Sequence, residues 1–337
     1  MDHVEHIAAA PHPIGSHEHL RARDYVLAEL TALGASPALQ RTLAITAKYQ
    51  VAGNIENIVV RIHGASGTGE AVLLAAHYDS VPAGPGAGDD ASGVATLLET
   101  LRALGAGPRL RNDVIFLFTD GEEDGLLGAS AFVTEHPWAK DVRVALNFEA
   151  RGTAGVSQLF ETSAGNGSLV RAFAQSSPHP RGSSLSYEVY RRMPNDTDLT
   201  VLKTTGAAAM NFAFVGQWES YHTPLDNAAH LDRGTLQQHG ENALSLARAF
   251  GNADLNALSA GDDVFFNVLG GTVIHYSQRA SLAVVAVAAL LWALAAAFAL
   301  RSRAMRPLGL AIGFATQLSS LVLDGALALA FAAGIGG

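Results

Sequence analysis

Short, nearly unbroken apolar runs alternate along most of the chain with longer stretches in which apolar residues recur every three or four positions. The runs in ENIVVRIHG (residues 56–64), EAVLLAAHYDS (70–80), DVIFLFTD (113–120), VRVALNFEARG (142–152) and AAAMNFAF (207–214) predict strands. Runs without polar alternation suit strands covered on both faces. The stretches EHLRARDYVLAELTALG (18–34), ASGVATLLETLRALG (91–105) and TLQQHGENALSLARAF (235–250) have helical periodicity instead. In the second of them Val94, Leu97, Leu98, Leu101 and Leu104 fall on one face, and Gly105 provides the stop. Strands alternating with helices predict an α/β fold, a three-layer sandwich around a mixed, largely parallel central sheet.

The pattern changes after residue 280. SLAVVAVAALLWALAAAFAL (281–300) contains no charge and has the length of one bilayer-spanning helix. A weaker candidate span begins near Leu308 and carries Gln317 and Asp324. Arg301, Arg303 and Arg306 lie between the two, so the positive-inside rule places that connection in the cytoplasm and the preceding domain on the extracytoplasmic, periplasmic or lumenal, side. The expected organisation is a globular domain over 1–256, a juxtamembrane linker over 257–280 and a transmembrane region over 281–337. The structural alternative for the last part is a buried helical hairpin. The first residues, MDHVEHIAAAPHPIGS, show neither a signal-peptide core nor a spanning helix, although a domain on that side needs a means of crossing. With the short second span ending at AGIGG, this leads to the expectation of a truncated or misassigned form of a longer membrane protein.

Composition narrows the chemistry. Hydrophobic residues make up 49% of the 337 positions and charged ones 16%, which fits a chain with a membrane part. A formal charge of −9 without a basic patch argues against nucleic acid as a partner. There is no cysteine, so a metal must be held by His, Asp and Glu. GPGAGDDASG (84–93) is glycine-rich but lacks the Gly-Lys-Ser/Thr ending of a phosphate loop.

Three predicted strands run directly into polar clusters, HYDS, TDGEEDG and EARG, and the last is followed closely by YHTPLDN. In open α/β sheets, sites form beyond the carboxyl ends of strands, so His77, Asp89, Glu122, Glu123, Glu149 and His222 are expected to meet in one crevice. Taken singly, each has a plainer reading. His77 is then a core histidine, Glu122 and Glu123 a solvated loop, and Asp90 or Ser92 a helix cap. Taken together, two imidazoles and three or more carboxylates without thiols suit zinc or a similar ion. Five ligands exceed the three of a single catalytic zinc, whereas two metals sharing a carboxylate use all five.

The ordered set AHYDS, GDDASG, DGEEDGLLGA, NFEARG and YHTPLDN resembles the zinc aminopeptidase family of the bacterial leucyl aminopeptidase type. The likeness is strongest to its membrane-attached branch, the endoplasmic reticulum metallopeptidase and vacuolar membrane protease group, and covers about residues 1–280 before continuing into the spans. It implies a zinc-exopeptidase-like fold, two zinc ions and a peptide substrate. His77 and Glu149 are implied for one ion, Glu123 and His222 for the other, with Asp89 bridging. Asp79 is implied to accept the second imidazole N–H of His77, and Glu122 to be the general base that moves a proton from the attacking water to the leaving amine. The adjacent glutamates are thus explained: one holds metal while its neighbour handles protons. Soluble members have Asp where this chain has Glu149, and the family often has a cis peptide after the bridging Asp, here Asp89–Asp90. The expected activity is that of a membrane-tethered zinc aminopeptidase; the alternatives are a single-zinc glutaminyl cyclase-like transferase and a non-catalytic pseudo-peptidase that only binds. His3, His6, His12, His17 and His19 are expected at the surface; Tyr221, Arg151 and Asp198 are candidates for substrate contact, with structural roles expected.

Overall fold

The computed structural model describes residues 1–335 except 259, 270 and 305, with side chains as far as 327. Contacts divide it into two units, Met1–Gln278 and Arg279–Gly337. The first contains, in chain order, α1 (Asp2–Ile7), α2 (His17–Ala32), β1 (Ala38–Thr46), β2 (Val51–Ile62), β3 (Ala71–His77), α3 (Ala91–Gly105), β4 (Asp113–Thr119) and α4 (Leu127–Glu135). It continues with β5 (Val142–Ala150), β6 (Gln158–Thr162), α5 (Gly167–Ser176), α6 (Ser184–Tyr190), α7 (Asp198–Leu202), β7 (Ala208–Phe214), α8 (Arg233–Asn252), β8 (Asp263–Val268) and β9 (Thr272–Ser277).

Strands β1 to β7 form one sheet in the order β1-β2-β4-β3-β5-β7-β6. The four central strands β4, β3, β5 and β7 are parallel, and β1, β2 and β6 pair antiparallel at the edges. Every residue of β3 and β4 is buried, as the unbroken apolar runs require. Their side chains alternate between two cores. Val72, Leu74, Ala76, Phe116 and Phe118 pack on one face with residues of α2, α3, α5 and α8. Ala71, Leu73, Ala75, Ile115 and Leu117 pack on the other with Phe132 and Leu199 of α4 and α7. These are the three layers of the expected sandwich, and the sheet is mixed with a parallel centre.

Asp90 caps α3, its carboxylate accepting the Gly93 N–H at 2.9 Å, and the Asp89–Asp90 peptide is cis. The stretch expected as a linker differs. Residues 263–277 hold the β8–β9 hairpin, whose alternating pattern inserts Phe265 and Val273 into the larger core. Two histidines expected at the surface are buried. His19 lies on the same stripe of α2 as Ala22, Val26 and Leu30, stacks on Tyr78 with ring centroids 5.0 Å apart, and meets Asp120 Oδ1 at 2.7 Å. His12 is enclosed where its N–H donates to Ser80 Oγ at 2.8 Å. A helical stripe includes whichever residues fall on it, polar or not, provided a partner waits inside.

The second unit consists of α9 (Ser281–Arg301) and α10 (Pro307–Ile335). Both are long and apolar enough to cross a membrane, and none of the residues in their apolar windows is buried. That exposure is opposite to the buried hairpin considered above. The two helices meet at Trp292 and Phe314, ring centroids 5.9 Å apart.

Candidate metal centre

The parallel register sets the site. His77, the last residue of β3, pairs with Thr119, the last of β4, so the 120–125 loop begins beside it. Glu149 near the end of β5 pairs with Ala213 of β7, and the chain beyond β7 brings His222 back to the same rim. His77, Asp89 and Glu149 form one group of converging ligand atoms, and Asp89, Glu123 and His222 form a second. Asp89 belongs to both. Its Oδ1 lies 3.0 Å from His77 Nε2 and its Oδ2 lies 3.2 Å from His222 Nε2. His77 Nε2 is 3.7 Å from Glu149 Oε2, and His222 Nε2 is 3.1 Å from Glu123 Oε1. Glu122 belongs to neither group, yet lines the same cavity as Asp89, Glu123 and Glu149.

The donor set fits divalent cations on physical grounds. Glu123 Oε1 and His222 Nε2 are buried 3.1 Å apart, yet neither makes an aligned hydrogen bond, a costly arrangement that a shared cation would satisfy. Burial, reinforced by the Asp89 and Asp198 carboxylates, pushes Glu149 up to about 8, although His77 opposes it. Burial likewise pushes Glu123 up to about 7 with Asp89 adding to the effect, and pushes Glu122 well above the carboxylate range with Glu149 as its main negative neighbour. His222 rises to about 9: burial lowers it, but Asp89 and Glu123 outweigh that. Several carboxylates at one buried point cannot all ionise beside one another, and positive charge from metal ions is what would allow it.

Neighbouring groups hold the ligands in place. The His77 Nδ1–H reaches the backbone carbonyl of Asp79 at 3.0 Å, while the carboxylate expected as its partner lies at 3.5 Å. The Asp79 carboxylate instead accepts the backbone N–H groups of Glu122 and Glu123, at 3.1 and 3.2 Å. It thereby braces the loop that carries both glutamates while remaining beside the His77 ring. Asn147 donates to Glu149 Oε1 at 3.2 Å. Asp226 accepts the N–H of Gly88 at 2.6 Å and of Asp89 at 3.2 Å, and so fixes the backbone of the shared ligand. Sequence reasoning passed over Asp226 and Asn147; both stand inside the motifs YHTPLDN and NFEARG, and that position was the available signal. His222 has φ of +57°, a left-handed conformation rare outside glycine, held by the turn around it. Tyr221 stacks on its ring at 3.7 Å. Of the other residues given structural roles, Asp198 accepts a hydrogen bond from Thr119 Oγ1 and Arg151 lies over the Tyr221 ring.

Asp226→Asn replaces one of two accepting oxygens by a donor facing an N–H. The expected result is a loss of zinc affinity of about tenfold or more with the fold retained. Competition against a chromophoric chelator, with circular dichroism as the fold control, measures it.

The description "Peptidase family M28" matches residues 57–247 of this sequence, which contain every residue of the two groups. The chain belongs to peptidase family M28. This M28 chain is 37% identical over 234 residues to endoplasmic reticulum metallopeptidase 1 of Rattus norvegicus, covering 67% of the chain and 26% of that relative. It is 30% identical over 276 residues to the vacuolar membrane protease of Candida dubliniensis, covering 78% of the chain and 29% of that relative. The chain thus spans about a quarter to a third of the curated relatives it matches. Among solved structures, the glutaminyl cyclase of Porphyromonas gingivalis aligns with a TM-score of 0.59 at 21% identity, over 73% of this chain and 95% of that one. A Zn-dependent exopeptidase from Parabacteroides distasonis aligns with a TM-score of 0.57 at 20% identity, over 73% and 96%. At such identities these last two establish the fold of the M28 unit.

Proposed function

We propose that this chain is a membrane-tethered, zinc-dependent exopeptidase of the aminopeptidase type, its peptidase unit on the extracytoplasmic side. The observation that carries this reading is the pair of ligand groups sharing Asp89, with Glu122 left outside both and lining the same cavity. His77, Asp89 and Glu149 would hold one ion, and Asp89, Glu123 and His222 the other. The chemistry such ions supply when bound is Lewis acidity: a polarised scissile carbonyl and a water made nucleophilic near neutral pH.

The chain's own residues supply the rest. Glu122 takes the proton of the attacking water and delivers it to the departing amine, because its carboxylate is not used as a ligand. Asp79 keeps the Glu122 and Glu123 backbone at a fixed distance from His77, and Asp226 does the same for Asp89. The cavity of about 830 Å³ beside these groups is also lined by Val51, Phe160, Leu185, Val189, Met193 and Val215, an apolar surface suited to one large side chain. Lys48 and Tyr49, in the turn between β1 and β2, both bond to Asp196, joining two walls of the cavity. A joined wall favours the end of a peptide over a chain running through. The likeness to a vacuolar membrane protease and the exposed apolar helices α9 and α10 support the tethering.

The test is a panel of aminoacyl reporters assayed with the purified full chain in detergent. Activity abolished by a strong chelator and restored by zinc is expected. Cleavage inside blocked peptides with none at free amino termini would overturn the exopeptidase reading, and cyclisation of N-terminal glutamine by a protein holding one zinc would replace it with the transferase reading.

A further inference from the structure

Arg151 lies two residues beyond Glu149 and lines the metal-centre cavity. Among the described lining residues it is the one cationic side chain, although the cavity is also lined by Asp89, Glu122, Glu123, Asp124, Glu149 and Asp196. An arginine in such company normally pairs with a carboxylate. Among the described residues the Arg151 guanidinium makes no ion pair and no side-chain hydrogen bond; its one recorded contact is the Tyr221 ring, 5.1 Å from the guanidinium carbon. Asp196, one of the cavity's carboxylates, is taken up by Lys48 and Tyr49.

The backbone beneath is tightly set. The Arg151 N–H donates to the Phe214 carbonyl at 2.9 Å. The next residue, Gly152, sits so close to the chain after β7 that a Cβ there would lie 2.3 Å from the Gly216 carbonyl oxygen. The side chain therefore starts from a rigid strand end and rests on Tyr221, which in turn stacks on the candidate ligand His222. A planar fork of donors held this way, with its donors unspent, is a preorganised receptor for a carboxylate.

We propose that Arg151 is a specificity-determining residue that binds a carboxylate of the substrate on the far side of the scissile bond. This rests on the peptidase reading above. Four of the cavity's carboxylates are committed to metal binding and proton transfer in that reading, which leaves Arg151 as the group that answers an incoming negative charge. The carboxylate has two possible sources, the free C-terminus of a dipeptide or an acidic side chain on the residue after the bond. Either gives the enzyme a preference for short or acidic peptides over neutral, blocked ones.

The zinc-loaded full chain is assayed with leucyl-glycine against leucyl-glycinamide, and with leucyl-aspartamide, its side-chain carboxylate free, against leucyl-asparaginamide. In at least one pair the acid is expected to have a kcat/KM about tenfold or more above its neutral partner, as one charge-assisted contact provides. The pair that shows it identifies the source. Arg151→Gln is expected to bring that acid-to-neutral ratio to about one, and Arg151→Lys to restore part of it, since a point charge keeps attraction but loses the fork. Zinc content of each variant separates this effect from disturbance of His222 through Tyr221. Calorimetric binding of the same peptides to the Glu122→Gln protein reads the contact without turnover. Selective binding of the acids without hydrolysis by the wild type would sink the peptidase reading and keep Arg151 as the receptor. Acid and neutral partners handled alike in both assays, or a ratio unmoved by Arg151→Gln, would overturn the proposal while leaving the peptidase reading intact.

Discussion

Glu122→Gln is expected to keep its zinc and its fold while turnover falls by roughly a hundredfold or more. The exchange is isosteric, and Glu122 belongs to neither ligand group, so the metal count should stay at the wild-type value. What is lost is the capacity to accept a proton. Burial raises this carboxyl well above its ordinary range, and the negative Glu149 raises it further, while His77 pulls it back. Positive charge from bound ions would oppose that rise and leave the carboxyl ionised before the reaction, ready to take a proton and pass it to a departing amine of higher basicity. Its backbone is held by Asp79, at 3.1 Å from the Glu122 N–H, so the amide of the variant sits where the acid did. Steady-state kinetics on protein of verified zinc content measures the effect. Near-normal turnover in a metal-loaded Glu122→Gln enzyme would refute the proton-transfer role, and a rise in KM alone would place Glu122 in substrate binding instead.

Asp89→Ala is expected to empty both metal positions, whereas Glu123→Ala should affect mainly one. Asp89 alone belongs to both ligand groups, its two oxygens 3.0 and 3.2 Å from the imidazoles of His77 and His222. In the proposed two-ion reading, removing it would leave each ion with two protein ligands, below the three that a catalytic zinc normally keeps. The side chain is also buried, and its N–H is fixed by Asp226, so no neighbouring carboxylate can take its place without moving the loop. Elemental analysis of dialysed protein is the measurement: near two zinc per chain in the wild type, near zero in Asp89→Ala, and an intermediate value in Glu123→Ala. Two zinc retained by Asp89→Ala would end the shared-ligand assignment, and one zinc in the wild type would favour the transferase alternative.

The sequence by itself determined the central strands, the long helices of the sandwich and the order in which the polar clusters follow the strands. The reason is local. β3 and β4 are buried along their whole length, so their apolar runs admit little besides a covered strand, and α3 places its leucines at helical spacing against that sheet. Parallel strands point their carboxyl ends to one rim, so the convergence of His77, Glu123, Glu149 and His222 followed from order alone. Tertiary structure decided what local pattern leaves open. β1 is an edge strand with several exposed positions, so its alternation is diluted, and α6 buries none of its residues and shows no stripe. The β8–β9 hairpin became part of the core because Phe265 and Val273 found partners that lie far away in the chain. Asp79 braces the glutamate loop because the fold brings it backbone donors from 43 and 44 positions along the chain. Asp226 reached the Gly88–Asp89 backbone across 138 and 137 positions in the same way. A hydrogen bond between distant segments depends on where the fold brings their backbones, and no periodicity in one segment records that of the other.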